Sequence, residues 1–196
     1  MVAIASVCVF CGSSTPGDPR YRETARAMGK LAASSGVGLV YGGGRAGLMG
    51  ELADAALSAG GRVVGVRPAG LFDRDVGDDE LTELHEVRTM HERKQLMYDL
   101  ADGFVAMPGG LGTLEELAEV TTWFKLGLHA KPVVLLDVDG FWDPLVAQLD
   151  RMVDVGLLEP SDRALIQLAG SPEEAMAVLS SGQPSGEEKW TTPGER

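Results

Sequence analysis

The chain has 196 residues with 29 acidic against 17 basic side chains, a net charge of −12, and is 44% hydrophobic and 23% charged. That length suits one domain with a full core, and those fractions exclude wholesale disorder. The acidic excess, with a sequence pI of about 4.6, excludes a basic nucleic-acid footprint and argues against adhesion to anionic lipid. An anionic ligand would need a local positive site.

No apolar run approaches the ~18 residues of a membrane span, and the first ten residues lack the positive start of a signal peptide. Two cysteines are too few for a disulfide framework. The expected compartment is the cytoplasm. In chain order, short Val- and Ile-rich runs predict strands at residues 3–10, 38–41, 62–66, 83–87, 103–107 and 133–136, with a short seventh near 164–168. Between them the apolar spacing predicts helices at 19–35, 48–59, 90–101, 114–126, 144–155 and 172–179. Val133-Val134-Leu135-Leu136 does not alternate with polar residues, the pattern of a strand buried on both faces. Strand–helix alternation at this spacing builds βαβ units, hence an α/β fold with a doubly wound parallel sheet in one domain over residues 1–180. Residues 68–82, which carry Asp73, Asp75, Asp78, Asp79 and Glu80, read equally as a functional or a disordered loop. Residues 181–196 have the composition of a flexible tail.

The strongest local signal is Pro108-Gly109-Gly110-Leu111-Gly112-Thr113-Leu114-Glu115-Glu116, which follows a buried strand and opens a helix. In a parallel sheet this lies at the carboxyl edge, where ligands collect. Three glycines let main-chain N–H groups approach a ligand, and the Thr113 hydroxyl and the helix's first free N–H groups converge there, as suits a phosphate. A turn needed only for close packing is the plainer alternative. A second glycine turn, from Tyr41 to Gly50, has Gly42, Gly44 and Gly47 at dinucleotide spacing. The acid that would hold a ribose some 20 residues on is missing, since the chain there reads Val66-Arg67-Pro68. NAD is therefore disfavoured, and no Lys-Ser/Thr follows Gly47 to make a Walker loop. The turn, with Gly43, reads as a second wall of one pocket, and Ser13 and Ser14 can add hydroxyls to its mouth. Arg93 and Lys94 are adjacent cations on a helix starting at the same sheet edge, readable as a ligand site or as a solvated face. Cys8 and Cys11 read as buried core thiols, and three histidines at this spacing make no zinc site.

In their order and spacing, Phe10-Cys11-Gly12-Ser13-Ser14, Tyr41-Gly42-Gly43-Gly44, Gly47-Leu48-Met49-Gly50, Met90-His91-Glu92-Arg93-Lys94 and the Pro108 to Glu116 motif resemble the Lonely Guy family. These are cytokinin riboside 5′-monophosphate phosphoribohydrolases, long labelled lysine decarboxylases. The likeness continues through Thr121-Thr122-Trp123 and Gly127-Leu128-His129-Ala130-Lys131-Pro132. It implies a Rossmann-like homodimer that cleaves the N-glycosidic bond of an adenine nucleotide 5′-monophosphate, with no metal and no cofactor. Carried over, Gly109, Gly110, Leu111, Gly112, Thr113 and Leu114 hold the phosphate with Thr122 nearby. Arg93 and Glu116 are the catalytic pair, and Lys94 and Glu115 help bind the nucleotide. Asp75 stands where the family often has a substrate-touching Glu. Lys125 replaces a common Gln, Asp137 a common Asn, Phe141-Trp142 two tyrosines, and Arg67 an aliphatic residue. The resemblance also makes Leu96, Met97 and Leu100 candidates for packing against a second copy.

Glycosidic cleavage passes through an oxocarbenium-like state, so a fixed carboxylate facing the sugar accelerates it. Glu116 is expected to fill that place, and Glu115, one residue earlier, to project about 100° away. A non-catalytic nucleotide or molybdenum-cofactor carrier of the same fold would use the glycine loops without needing the Arg93–Glu116 pair. A pyridoxal-dependent decarboxylase needs a Schiff-base lysine in the pocket, and none of the five lysines stands out.

Overall fold

Alternation within each strand sends apolar side chains into both layers of the molecule. On β1 (Ser6–Phe10), Val7 and Val9 enter one layer while Cys8 and Phe10 enter the other. The structure, a computed structural model, describes residues 4–70 and 81–181. Asp75, most of the acidic stretch and the tail lie outside those residues.

The remaining strands are β2 (Gly38–Tyr41), β3 (Val63–Pro68), β4 (Glu83–Val87), β5 (Gly103–Ala106), β6 (Val133–Leu136) and β7 (Ile166–Ala169). The helices are α1 (Pro19–Ser34), α2 (Gly47–Ser58), α3 (Met90–Asp99), α4 (Leu111–Lys125), α5 (Asp143–Asp154), the single turn α6 (Pro160–Arg163) and α7 (Pro172–Ser181). The predicted α/β sheet is present: seven strands in the order β4-β3-β2-β1-β5-β6-β7, with every neighbouring pair parallel. Chain order runs outward in both directions from the β1–β5 boundary. A doubly wound sheet binds ligands at the carboxyl ends of such a switch point.

Helices α1, α2 and α7 cover one face through Met28, Leu52 and Leu179. Helices α3 and α4 cover the other through Met97, Tyr98, Leu117 and Phe124. The two strands at the switch point, β1 and β5, are buried along their whole length. This explains why they read as unbroken apolar runs. Helix α5 differs: none of its residues is buried, though Leu145, Val146 and Leu149 lean on the core. None of the described helices is long and apolar enough to cross a membrane.

Several details depart from expectation: β3 runs on to Pro68, the turn α6 is an added element, and two others bear on the site. Helix α4 begins at Leu111, three residues earlier than its apolar spacing suggests, so Gly112 and Thr113 belong to its first turn. Met97, expected as a surface for a second copy, is 1% exposed and belongs to the chain's own core, with Leu96 and Leu100 packed against it. A helix covering a parallel sheet has few apolar residues to spare for another partner.

Candidate active site

At the switch point the carboxyl end of β1 and the turn after β5 are drawn together. Met107 N–H donates to Phe10 O at 2.9 Å, and Gly12 N–H to Pro108 O at 3.2 Å. Between them opens a cleft of about 260 Å³, walled by Cys11 to Ser13, Gly42, Met49, Arg93 and the first turns of α4.

Arg93 lies under this cleft, 8% exposed. Helix α3 aims it inward, and the start of that helix is fixed by Thr89, whose hydroxyl accepts from Glu92 N–H at 3.1 Å. The Arg93 guanidinium donates three times: from Nε to Val66 O at 3.1 Å, from Nη2 to Gly42 O at 3.3 Å, and from Nη1 to Glu116 Oε1 at 3.1 Å. It is thus tied to β3, to the turn after β2 and to α4 at once. Glu116 is 7% exposed. Burial pushes its carboxyl up to about 7, and the Arg93 charge only partly offsets this. Near neutral pH such a group is divided between acid and carboxylate, the state suited to giving or taking a proton.

Lys94, the next residue on α3, points to the far side of the pair. Its ammonium forms an ion pair with Glu115 and another with Glu119 at 2.9 Å. Glu119 also accepts from Tyr98 Oη at 2.9 Å. Successive residues on two facing helices thus make two separate contacts, Arg93 with Glu116 and Lys94 with Glu115.

The glycines of the α4 motif serve two purposes. A Cβ on Gly109 would stand 2.1 Å from Thr113 Oγ1, so that glycine is required by the chain's own packing. A Cβ on Gly110 or Gly112 would meet nothing within 4 Å. Nothing in the described fold needs glycine at those two positions. What they leave is bare main chain at the start of a helix whose N-cap, Gly110, has no side chain to satisfy the first N–H groups. A phosphate is the ligand such a turn holds best. Cys11, on the cleft wall, is pushed far above its ordinary range by burial, with the Glu116 charge adding to it, so its thiol stays protonated.

Of the residues predicted from sequence, Arg93, Glu116, Ser13, Gly110, Leu111, Gly112 and Thr113 line the cleft. Gly109 sits just beneath it, and Lys94 and Glu115 lie behind it. Gly43 is buried against Val66 and Arg67 with a φ of +75°, shaping the turn. Leu114 and Thr122 face away from the cleft, on an apolar groove between α4 and α5, and the Thr122 hydroxyl donates to Ala118 O at 2.7 Å. Asp75 lies outside the described residues. Sequence reasoning missed Glu119 and Tyr98. The spacing of Glu115 and Glu119, one helical turn apart, was the available sign that both face Lys94.

Residues 49–179 match the family model described as "Possible lysine decarboxylase". A rice protein (Oryza sativa subsp. japonica) named probable cytokinin riboside 5′-monophosphate phosphoribohydrolase LOGL9 is 51% identical over 159 residues, 81% of this chain and 70% of that one. The Arabidopsis thaliana cytokinin riboside 5′-monophosphate phosphoribohydrolase LOG7 is 43% identical over 182 residues, 93% of this chain and 84% of that one. Among solved structures, the molybdenum cofactor carrier protein of Chlamydomonas reinhardtii has a TM-score of 0.67 at 24% identity, over 90% of this chain and 96% of that one. At that identity the likeness shows a shared fold.

Proposed function

The chain belongs to the Lonely Guy family of cytokinin riboside 5′-monophosphate phosphoribohydrolases, whose model carries the lysine decarboxylase description, and on that premise we propose that it hydrolyses adenine nucleotide 5′-monophosphates to free base and ribose 5-phosphate. The observation that carries this reading is the buried Arg93–Glu116 pair placed beside bare main chain at residues 110–112. Those amides take the phosphate, and the sugar then lies over Glu116.

In the reaction, water adds to the anomeric carbon as the bond to the base nitrogen breaks. The bonding pair leaves with the base, whose nitrogen takes up a proton from solvent, and the water gives a proton to Glu116, which returns it to solvent before the next turnover. Glu116 as carboxylate stabilises the positive charge growing on the sugar and accepts that proton. Arg93 holds Glu116 in place through a hydrogen bond and keeps enough carboxylate present at neutral pH for it to act as base. We assign Glu115, whose side chain is 55% exposed, to a sugar hydroxyl, which it would meet on leaving Lys94. A carrier would need the amides but would have no use for a buried acid whose proton affinity is set near neutral pH. That is why hydrolysis is favoured over storage.

We assign a homodimer as well. An apolar groove of about 490 Å³ runs between α4 and α5, lined by Leu114, Leu117, Leu145, Leu149 and Met152. A second copy of the chain suits it, because the groove continues from the helix that carries the site.

Purified protein is incubated with AMP and with isopentenyladenosine monophosphate, and chromatography follows free base and ribose 5-phosphate. Release of both products from a monophosphate, with the matching nucleosides cleaved at least ~10²-fold more slowly, is the expected result for a site built on phosphate anchoring. Equal cleavage of the nucleosides rejects the phosphate assignment. Intact, bound nucleotide rejects the hydrolase.

A further inference from the structure

Lys94 has two carboxylate partners where one would neutralise it, although it is only 4% exposed. The two partners are not alike. The Glu119 side chain is 24% exposed and is held by Tyr98 Oη, whereas that of Glu115, the residue before Glu116, is 55% exposed with Lys94 as its carboxylate's ion-pair partner. Tyr98 is itself fixed by edge-on contacts with Phe104 and Trp123 at 5.5 and 5.3 Å between ring centres. Burial above all, then the Glu119 charge, pushes its phenol far above the ordinary range, so it remains a hydrogen-bond donor to Glu119. Glu115 and Glu119 stand four residues apart on one helix, where like charges repel unless a cation lies between them.

We propose that Glu119 is a positioning residue: it keeps the Lys94 ammonium seated between α3 and α4 when Glu115 turns away to meet the substrate's ribose. The proposal deepens the hydrolase reading and rests on it for what Glu115 meets. The physical reason is the cost of an unpaired buried charge. An ammonium this deeply covered must keep a counter-charge. With Glu119 present it keeps one while Glu115 is engaged elsewhere, and Arg93, the neighbour of Lys94 on α3, stays against Glu116. Burial pulls the Lys94 ammonium down, but the two carboxylates together hold it above its ordinary value, so it remains a cation throughout. Without the Glu119 charge, Lys94 would retain Glu115 and withhold it from the sugar.

The test compares wild type, Glu119→Gln, Glu115→Gln and the double variant with isopentenyladenosine monophosphate, by steady-state kinetics, by calorimetric binding and by thermal unfolding. Glu119→Gln is expected to raise KM and weaken binding by roughly tenfold, with kcat changed by less than about threefold. The double variant leaves the buried Lys94 ammonium with neither carboxylate, so it is expected to unfold at a lower temperature than either single variant. A double variant as stable as Glu115→Gln overturns the proposal, as does a Glu119→Gln protein with a lowered unfolding temperature and unchanged nucleotide affinity. Should Glu119→Gln fail to fold, Tyr98→Phe keeps the packed ring and removes the hydroxyl that holds Glu119 at 2.9 Å, along with its longer 3.5 Å contact to Glu116 O. It is expected to move KM in the same direction by about two- to threefold, and an unchanged KM overturns the proposal. If wild type leaves the nucleotide intact, the hydrolase reading fails by itself. The binding measurement then still decides whether Glu119 governs affinity.

Discussion

Gly42 lies so close to Arg93 that a Cβ on it would stand 2.0 Å from Nη2 and 3.2 Å from Cζ. The guanidinium cannot simply move aside, because Val66 O, Gly42 O and Glu116 hold it on three sides. Gly42→Ala is therefore expected to unseat Arg93, lowering turnover of the monophosphate by about 10²–10³ while costing roughly 1–3 kcal/mol of stability as an overpacking change. Kinetics beside a denaturant curve check it. Activity within about threefold of wild type would show that Arg93 has a second productive position.

Glu116→Gln separates chemistry from stability. Gln resembles the protonated acid, so turnover is expected to fall by about 10²–10³. For the wild type, kcat/KM should rise with pH through about 7, where the buried carboxyl ionises. Stability should move the other way. The folded protein holds this proton up to about pH 7 and the unfolded chain releases it near 4.5, so the folded state binds more protons across that window. Stability contributed by this group is then full below pH 4.5 and declines until pH 7. Gln carries no such decline. The variant should match wild type at pH 4 and exceed it at pH 8, by an amount on the order of 3 kcal/mol. Urea unfolding at the two pH values measures this, and equal stabilities at pH 8 exclude a raised carboxyl.

Much of the fold was legible because its signals are local. Val133-Val134-Leu135-Leu136 reads as a strand covered on both sides, and β6 occupies those four residues. The start of α4 was harder to place. Glycine is a poor helix former, so Gly112 argued against a helix there, yet the turn is stabilised by Thr113 packing beneath Gly109. Arg93 is readable as a cation beside a phosphate-type turn, and Glu116 is singled out as its catalytic partner by the family resemblance. That they pair, 23 residues apart, depends on strand order. The Tyr98–Glu119–Lys94 contacts are hidden for the same reason: each residue looks like ordinary helix surface until α3 and α4 are set side by side.

The glycines at 109 and 112 predict opposite outcomes for one chemical change. Ala at 112 adds a methyl group that touches nothing in the protein and favours the first turn of a helix by roughly 0.5–1 kcal/mol. Gly112→Ala should therefore unfold at a slightly higher temperature, yet bind a monophosphate at least about tenfold more weakly because the methyl occupies the phosphate's approach. Gly109→Ala meets Thr113 Oγ1 at 2.1 Å and Gly12 N at 3.0 Å, and should lose about 1–3 kcal/mol before any ligand is considered. Calorimetric unfolding and nucleotide titration of both variants check the pair. A Gly112→Ala protein that is more stable and binds as tightly as wild type removes the phosphate from this turn.

The exposed apolar side of α5 makes the last prediction. Leu149 stands half-buried on the groove shared with Leu114 and Leu117 of α4. A carboxylate there costs the isolated chain the part of Leu149 that leans on the core, but would be stranded in an interface between two copies, at a larger cost of several kcal/mol. Leu149→Asp should thus turn a dimer into a monomer in multi-angle light scattering, with a change in secondary structure too small to see by circular dichroism. Because the groove lies on the same helix as Glu115 and Glu116, the monomer is expected to lose at least about tenfold in kcat/KM if the second copy steadies α4. Wild-type protein that already runs as a monomer at micromolar concentration and turns over normally excludes this face as the dimer contact.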